Sequence, residues 1–317
     1  MAGLRARDAG AAVESRRVPA GSDSISVVDR SVVTASGREL LVQEGGDPEG
    51  RAVLVQLGTP GSRVLYGRHL VDAIERGIRL ISYDRPGYGG STPHPGRSVA
   101  DCAQDTRAVI DALGVDRFAV WGVSGGGPHA LACAGLLSDR VVAAATLASP
   151  APFDADGLDW WADTGQENID DDLLVLNDPE AARAKLAKDR AELFDPSEPD
   201  LAEAHPTLFS PADAAVLTDE LGEYLKRRNR TGLMPGIEGV WEDSVAMLKP
   251  WGFAVDAIQV PVMVWHGRHD WMVPFQHGKW LTRRLPNAEP RLSDDDGHLT
   301  LVQNRVPAVH AWLVAHF

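Results

Sequence analysis

The sequence predicts an α/β fold: a mostly parallel central sheet flanked by helices, with a helical insertion after the sixth strand. Short apolar runs alternate with stretches of helical spacing, which is typical of βαβ units. This alternation stops near residue 150 and resumes near residue 250. In addition, the apolar run that ends at Trp121 leads into a Gly-x-Ser-x-Gly sequence at residues 122–126. That pattern places a serine on a sharp turn between a strand and a helix.

The first half of the chain supplies six predicted strands and three predicted helices. The first two strands form a hairpin whose turn contains Gly37. A loop rich in turn-forming residues, Asp84–Thr92, follows the fourth strand. The predicted strands are residues 24–34, 38–44, 52–57, 78–83, 118–121 and 141–147, and the predicted helices are 64–76, 99–113 and 128–137.

The second half begins with a long region that shows no strand pattern. Its predicted helices, 178–193 and 211–228, are separated by prolines, and the α/β alternation then returns with strands at 260–265 and 289–292 and helices at 275–284 and 300–317. We therefore predict a division of the chain into a leader, a core and a cap. The flexible N-terminal leader is residues 1–22, the core is residues 23–150 and 251–317, and the helical acidic cap is residues 151–250.

The charge of the 317-residue chain is concentrated in this predicted cap. The net charge is −14, and residues 151–250, with 23 acidic and 9 basic side chains, account for all of it. An acidic surface argues against nucleic acid or an anionic membrane as a partner. No apolar run reaches about 18 residues, so no transmembrane helix is expected. The leader lacks the apolar core of a secretory signal, which favours a cytoplasmic protein.

Cysteine and histidine spacing gives no sign of a metal or disulfide framework. The two cysteines, Cys102 and Cys133, lie in predicted helices, and reduced thiols are the expectation. No Cys/His pattern matches a structural zinc site. We expect neither a metal nor a cofactor, and the sequence leaves open whether the chain forms a homodimer.

A serine hydroxyl is a weak nucleophile and needs a nearby base, which is usually a histidine supported by a carboxylate. Asp270 follows a predicted strand and His298 precedes the last predicted helix, so both belong to loops at the carboxyl edge of a parallel sheet, where Ser124 also lies. Their order along the chain, Ser124, Asp270, His298, is the order that accompanies this serine turn. Other candidates for the base are His266 and His269, and other candidates for the acid are Asp294, Asp295 and Asp296.

Taken together, these motifs resemble the α/β-hydrolase superfamily, in its capped serine hydrolase branch. The resemblance covers roughly residue 24 to the C-terminus and includes the loop at 84–91. It implies that Ser124 attacks a carbonyl carbon and His298 transfers the proton. Asp270 would orient His298 and stabilise its cationic form, and an acyl-enzyme would form and then be released by water.

The same resemblance implies an oxyanion hole and a substrate pocket. The expected donors are the backbone N–H groups of Gly125 and Thr59. Many family members have His-Gly before this second donor, whereas this chain has Leu-Gly at residues 57–58. Asp84 and Arg85 are expected to stabilise their loop. Three tryptophans of the predicted cap are candidates for the wall of an apolar pocket, although they could instead be packed in the core: Trp160, Trp161 and Trp241.

The expected function is hydrolysis of an ester, lactone or thioester of a small neutral substrate. A serine at position 124 argues against dehalogenation and epoxide opening, because the relatives with those activities use an aspartate there. One alternative is an aminopeptidase of the proline iminopeptidase type, in which an acidic cap would hold the substrate's ammonium group. Residues 122–126 argue against this alternative, because they read Gly-Val-Ser-Gly-Gly and not the Gly-x-Ser-Trp-Gly typical of that branch. A non-catalytic ligand receptor and cofactor-free carbon–carbon hydrolysis also stay open.

Overall fold

Nine strands form a single sheet in the computed structural model, which describes residues 13–20, 23–195 and 207–317. Their order across the sheet is β1-β2-β3-β5-β4-β6-β7-β8-β9. The strands are β1 (Val13–Ala20), β2 (Asp23–Val33), β3 (Glu39–Gly46), β4 (Arg51–Gln56), β5 (Ile78–Tyr83), β6 (Phe118–Val123), β7 (Val141–Leu147), β8 (Val262–Gly267) and β9 (Ala288–Ser293).

The sheet is antiparallel on one side and parallel on the other. The pairs β1–β2, β2–β3 and β3–β5 are antiparallel, and every pair from β5–β4 onwards is parallel. The carboxyl ends of β4, β6 and β8 therefore open at the same edge of the sheet. The predicted fold class, a mostly parallel sheet flanked by helices, is confirmed.

Eleven α-helices complete the part of the chain that the structure describes. Six belong to the α/β alternation and five lie between β7 and β8. They are α1 (Gly67–Glu75), α2 (Cys102–Ala112), α3 (Gly127–Leu136), α4 (Gln166–Asn177), α5 (Pro179–Leu193), α6 (Pro211–Val216), α7 (Asp219–Leu233), α8 (Glu238–Met247), α9 (Phe275–Arg284), α10 (His298–Asn304) and α11 (Val306–Val314).

Helices cover both faces of the sheet because the central strands are apolar on both sides. Leu54 of β4 belongs to one buried cluster, whereas its neighbours Val53 and Val55 belong to a second cluster on the opposite face. This alternation follows from the two-residue period of a strand. All residues of β6 and β7 are buried, as expected for strands in the middle of a parallel sheet.

The N-terminal region differs from the prediction. Residues 13–20, which we assigned to a flexible leader, form β1 and pair with β2 along their whole length. Val18 and Ala20 are buried, and this burial anchors the strand. Because β1 adds a strand, the helical insertion follows the seventh strand and not the sixth. Residues 1–12 and 21–22 of the predicted leader lie outside the described residues.

Two predicted helices are each divided in two. The predicted helix at 211–228 ends at Val216, and Thr218 begins α7 by accepting a hydrogen bond from the backbone N–H of Leu221. The predicted closing helix is interrupted at Arg305, since a proline occupies the first turn of α11 and cannot continue the preceding helix. Helices α4 and α8 were not predicted.

Residues 151–195 and 207–250, which we call the insertion, contain helices and no strand. Residues 196–206 of the predicted cap lie outside the described residues. Within the described chain, no helix combines the length and apolar character needed to cross a membrane.

Candidate active site

Ser124 lies on a strained turn directly after β6. Its φ is +53°, in the left-handed region that non-glycine residues seldom adopt, and its side chain is half-buried between buried neighbours. The glycines of the motif are required because there is no room for a side chain at these positions. A Cβ at Gly122 would collide with the carbonyl oxygen of Gly126, and a Cβ at Gly126 would collide with the carbonyl oxygen of Gln56. The sequence therefore fixes Ser124 between the end of β6 and the start of α3.

His298, the first residue of α10, pairs with Asp270 in the loop after β8. The Nδ1 atom of His298 lies 2.9 Å from Oδ2 and 3.1 Å from Oδ1 of Asp270. Both side chains are buried. Asp270 is itself held in place, because Oδ1 accepts hydrogen bonds from the backbone N–H groups of Met272 at 3.0 Å and Val273 at 2.8 Å. Asp270 therefore contacts Nδ1 of His298 and leaves the other ring nitrogen, Nε2, for a different partner.

The environment favours the cationic form of His298. Burial opposes the charge, but the negative charge and hydrogen bond of Asp270 outweigh it, and the pKa of His298 is raised. The buried His266 is different: burial lowers its pKa although Asp270 is near. Its Nε2 lies 2.8 Å from the carbonyl oxygen of Val273 and 3.6 Å from Oδ2 of Asp270. His266 therefore supports the acid loop as a neutral ring.

The other acids considered from the sequence have different surroundings. Asp294 and Asp295 are exposed, and Asp294 pairs with Arg268 at 2.6 Å. Asp296 is buried but pairs with Arg305 at 3.0 Å. His269, the remaining alternative for the base, is exposed.

The loop after β4 lies against Ser124. A Cβ placed on Gly58 would be 3.2 Å from Cβ and 3.8 Å from Oγ of Ser124, a tight contact that would require a small shift of the serine or the loop. A Cβ on Gly125 would be 3.3 Å from the backbone nitrogen of Thr59. Among the described residues, the N–H of Thr59 has no hydrogen-bond acceptor. The two expected oxyanion donors are thus neighbours beside Ser124.

A buried ion pair supports this loop, and the sequence analysis did not identify its acidic partner. Arg85 donates to the carbonyl oxygens of Leu57 and Gly58, and its guanidinium lies 2.5 Å from Asp243 of α8. Asp243 also accepts a hydrogen bond at 2.8 Å from the hydroxyl of Thr59. Where many family members have a histidine before Gly58, this chain has Leu57, and Arg85 and Asp243 supply the polar support of the loop. Arg85 was expected to stabilise its own loop at residues 84–92, and here it also supports the loop after β4.

Asp243 is ionised despite complete burial. Burial alone would raise its pKa, but the charges of Arg85 and Arg97 hold the pKa well below its usual range. Arg97 approaches it at 2.6 Å and the hydroxyl of Tyr88 donates to it at 2.9 Å. His129 of α3 lies nearby and stays neutral, because burial lowers its pKa to about 3. Nothing in the local sequence of α8 indicates these partners, since all of them are distant in the chain.

A second carboxylate of the insertion holds the helix that carries His298. Asp213 of α6 accepts hydrogen bonds from the first three backbone N–H groups of α10, those of His298 at 3.0 Å, Leu299 at 2.6 Å and Thr300 at 3.1 Å. Asp213 is fully buried, and the hydroxyl of Ser210 donates to it at 3.0 Å. The sequence predicts a helix start near Ser210, but not this contact.

Ser124 and His298 open into a cavity of about 490 Å³ between the sheet edge and the insertion. Trp160 lines it, as expected. Trp161 and Trp241, the other two predicted wall residues, are not among the residues that line it. The indole of Trp161 instead donates to Asp172 at 3.0 Å, and Trp241 stacks under the guanidinium of Arg183. The apolar lining includes Leu174, Val175, Leu186, Leu208, Phe209, Leu225 and Met247.

Comparison with known proteins identifies the family. The sequence profile of the alpha/beta hydrolase fold matches residues 51–304. The chain belongs to the α/β-hydrolase fold family. The matched region spans β4 to α10 and so contains every residue of the candidate site. Within the described residues, no group of three or more His, Cys, Asp or Glu side chains is arranged to hold a metal ion.

Two known proteins are identical to this chain at about a quarter of the aligned residues. A bifunctional esterase/perhydrolase from Acinetobacter calcoaceticus is 25% identical over 256 residues, which is 77% of this chain and 83% of the relative. A non-heme chloroperoxidase from Streptomyces lividans is 26% identical over 250 residues, with the same shares covered.

Solved structures show the same fold at lower identity. A thermophilic esterase from Thermogutta terrifontis superposes with a TM-score of 0.66 at 20% identity, over 91% of this chain and 98% of the esterase. The enol-lactonase from Burkholderia xenovorans LB400 superposes with a TM-score of 0.61 at 18% identity, over 90% and 98% of the two chains.

Proposed function

We propose that this protein is a serine hydrolase that cleaves a carboxylic ester, lactone or thioester through an acyl-enzyme. The observation that carries the proposal is geometric. Ser124, on a strained turn, shares one cavity with His298, whose Nδ1 lies 2.9 Å from the buried carboxylate of Asp270. A nucleophile, a base and a group that orients the base are the three parts that acyl transfer requires.

The catalytic cycle follows from the positions of these groups. The Oγ atom of Ser124 attacks the carbonyl carbon while Nε2 of His298 takes its proton, and Asp270 stabilises the imidazolium that results. The negative charge on the carbonyl oxygen is stabilised by the backbone N–H groups of Thr59 and Gly125. His298 then gives the proton to the leaving oxygen or sulfur atom, and the acyl group stays on Ser124.

Water completes the cycle by the same route. His298 takes a proton from a water molecule, whose oxygen attacks the acyl carbon, and the bond to Oγ of Ser124 breaks as the proton returns to the serine. The insertion closes one side of the cavity with apolar side chains and with Trp160, which suits a small or medium-sized acyl group. We therefore assign the insertion the role of a cap that selects the substrate.

The comparisons support this class of reaction. One relative is named an esterase/perhydrolase, and two structures with the same fold are named an esterase and an enol-lactonase. Esters and lactones share a carbonyl carbon with an oxygen leaving group, which is the chemistry that the geometry around Ser124 can perform.

Substitution Ser124→Ala tests the proposal. We expect turnover of 4-nitrophenyl acetate and butyrate to fall by at least about 10³-fold, as is usual when a member of a triad is lost. We also expect a fluorophosphonate probe to label the native protein and not the variant, and labelling should be lost in His298→Ala. A native circular dichroism spectrum of each variant serves as the control. Unchanged turnover in Ser124→Ala would show that Ser124 is not the nucleophile.

A substrate panel separates the remaining alternatives. Esters, lactones and aminoacyl-nitroanilides are compared by kcat/KM at one pH. Preference for the aminoacyl-nitroanilides would favour an aminopeptidase over an esterase. A protein that is neither labelled by the probe nor active on any member of the panel would instead fit a ligand receptor.

A further inference from the structure

Most charged groups in the cavity are compensated by protein partners. Lys185 bridges Asp171 at 3.1 Å and Asp189 at 2.8 Å. Arg190 donates to the carbonyl oxygens of Leu233 at 2.6 Å and Met234 at 2.7 Å, at the end of α7. Lys185 thus balances one of its two carboxylates, and this part of the cavity stays negative. Arg190 is held by carbonyl groups at the C-terminus of a helix, where a positive charge is favoured.

Arg228 of α7 lacks such compensation. It lines the same cavity as Ser124 and His298, and its Nε and Nη2 atoms donate to Oδ1 of Asn229 at 3.1 and 3.0 Å. The amide of Asn229 carries no charge. Within the described ranges 13–20, 23–195 and 207–317, no carboxylate lies close enough to Arg228 to form an ion pair. Arg228 also interacts with the hydroxyl of Tyr224, which is uncharged at neutral pH. A guanidinium has five N–H donors, so these two neutral partners neither exhaust its donors nor balance its charge.

The charge of Arg228 affects the pKa of the candidate base, His298. It lowers the pKa of His298 and so opposes the effect of Asp270. Burial lowers the pKa of Arg228 itself, and the charge of Arg85 acts in the same direction. An arginine nevertheless stays charged in proteins, and Arg228 is half-buried, where a cation without a counter-ion is less well solvated than in water. The free protein thus holds an unsatisfied positive charge beside its nucleophile and base.

We propose that Arg228 binds a carboxylate of the substrate, so that the natural substrate is a monoanionic ester, lactone or thioester. This inference rests on the proposed function and replaces the small neutral substrate expected from the sequence. A planar guanidinium can form two parallel hydrogen bonds to a carboxylate. A singly charged group suits the site, because the carboxylates of Asp171, Asp172 and Asp189 also line the cavity and would repel a dianion.

Substrate binding would then also assist the chemistry. A carboxylate paired with Arg228 cancels the positive charge that opposes the imidazolium of His298. Such a substrate therefore makes His298 a better base at the moment when Ser124 must lose its proton. A neutral substrate of the same length gives no such effect.

Matched esters test this inference. Monoethyl adipate carries one carboxylate and diethyl adipate carries none, and the glutarate pair repeats the test at a shorter length. Ester cleavage is followed by nuclear magnetic resonance. We expect the native protein to favour the monoester, and Arg228→Gln to lower the ratio of kcat/KM for monoester over diester by about 10- to 100-fold, the range typical of a hydrogen bond to a charged group. Arg228→Lys, which keeps the charge, should restore part of the ratio.

Arg227→Gln is the matched control, because it removes the same charge one position earlier on α7 and Arg227 is not among the residues that line the cavity. We expect it to leave the ratio unchanged. A second readout is the acid limb of the pH profile for diethyl adipate, which should move to higher pH in Arg228→Gln because the charge that lowers the pKa of His298 is gone. The inference would be overturned if the ratio of kcat/KM for monoester over diester were the same in the native protein, in Arg228→Gln and in Arg227→Gln.

Calorimetry on Ser124→Ala separates this inference from the proposed function. The variant keeps the cavity but cannot form an acyl-enzyme, so it should bind monoethyl adipate and not diethyl adipate at the same concentration. This preference should be lost when Arg228→Gln is added. If the native protein cleaves neither ester but the binding preference persists, the proposed reaction is wrong and the carboxylate site stands. If both esters are cleaved without any preference in binding or turnover, the carboxylate site is wrong and the hydrolase stands.

Discussion

At the scale of single residues, the pair of His298 and Asp270 decides what the cavity can do. Asp270 is fixed by two backbone N–H groups, so its carboxylate needs no reorganisation when His298 becomes charged. The raised pKa of His298 means that the ring is protonated, and inactive as a base, up to a pH above its ordinary value of about 6.5. Activity should accordingly fall as the pH is lowered through the pKa of His298.

Substitution Asp270→Asn tests this electrostatic role. It keeps the size of the side chain but removes the charge that raises the pKa of His298. We expect kcat to fall by about 10³- to 10⁴-fold, and the acid limb of kcat/KM to move to lower pH. The profile is measured between pH 5 and 9 with 4-nitrophenyl butyrate.

Asp294→Asn is the control, because Asp294 belongs to an exposed ion pair with Arg268. It should leave both the rate and the pH profile unchanged. If Asp270→Asn slowed the reaction but left the acid limb in place, Asp270 would act on something other than the pKa of His298.

At the scale of elements, a short helix of the insertion supports a short helix of the core. The carboxylate of Asp213 on α6 accepts the first three N–H groups of α10, which have no partner within their own helix. Its charge also raises the pKa of His298. In the proposed reaction, Asp213 is thus a positioning residue, which acts through His298 and does not need to touch the substrate.

For Asp213→Ala we expect two separable effects. The loss of the cap should lower the free energy of unfolding by about 1–2 kcal/mol, measured by urea titration. The loss of its charge should lower the pKa of His298 and move the acid limb of kcat/KM to lower pH. Asp178→Ala is the control, because Asp178 also accepts an N–H at the start of a helix, that of Ala181 in α5, but does so on the surface and within its own segment. It should reduce stability and leave the pH profile unchanged, and a shift of equal size in that control would contradict the role given to Asp213.

The difference between local sequence patterns and contacts made across the fold explains how much of the structure could be predicted from the sequence. Strands such as β5 and β7 were predicted with their observed bounds, because burial on both faces produces a continuous apolar run. Ser124, Asp270 and His298 could be chosen as candidates because each lies in a short local motif. Helices α4 and α8 escaped prediction, since their packing depends on partners elsewhere in the chain. The contacts of Asp213 and Asp243, and the place of Arg228 in the cavity, could not be predicted for the same reason: each depends on residues distant in the chain.

At the scale of the whole molecule, the insertion is joined to the core by buried contacts. Tyr224 of α7 stacks on Tyr66 with ring centroids 4.5 Å apart, and Leu221 and Leu225 pack in the same buried cluster with Leu299 of α10. The ion pairs of Asp243 with Arg85 and Arg97 add a buried charged link. Contacts of this kind make the insertion part of the folding unit, and we expect one cooperative unfolding transition.

Substitution Asp243→Asn tests this coupling. It leaves Arg85 and Arg97 buried without a counter-ion, which should lower the free energy of unfolding by about 3–5 kcal/mol, measured by urea titration at pH 7. Because the pKa of Asp243 is held low in the folded state, its contribution is fully present above the unfolded value of about 3.9 and is lost as the pH falls below that value. The difference in the free energy of unfolding between the variant and the native protein should therefore be constant from pH 5 to 8.

Glu238→Gln is the control on the same helix, since Glu238 pairs with Arg183 at 2.6 Å in a solvent-exposed position where an ion pair contributes less than about 1 kcal/mol. Fluorescence of the nine tryptophans, which lie in both the core and the insertion, and far-ultraviolet circular dichroism should report the same midpoint for Asp243→Asn. Two separate transitions in the native protein would show that the insertion unfolds independently of the sheet. In that case the buried ion pairs of Asp243 would not couple the two parts of the molecule.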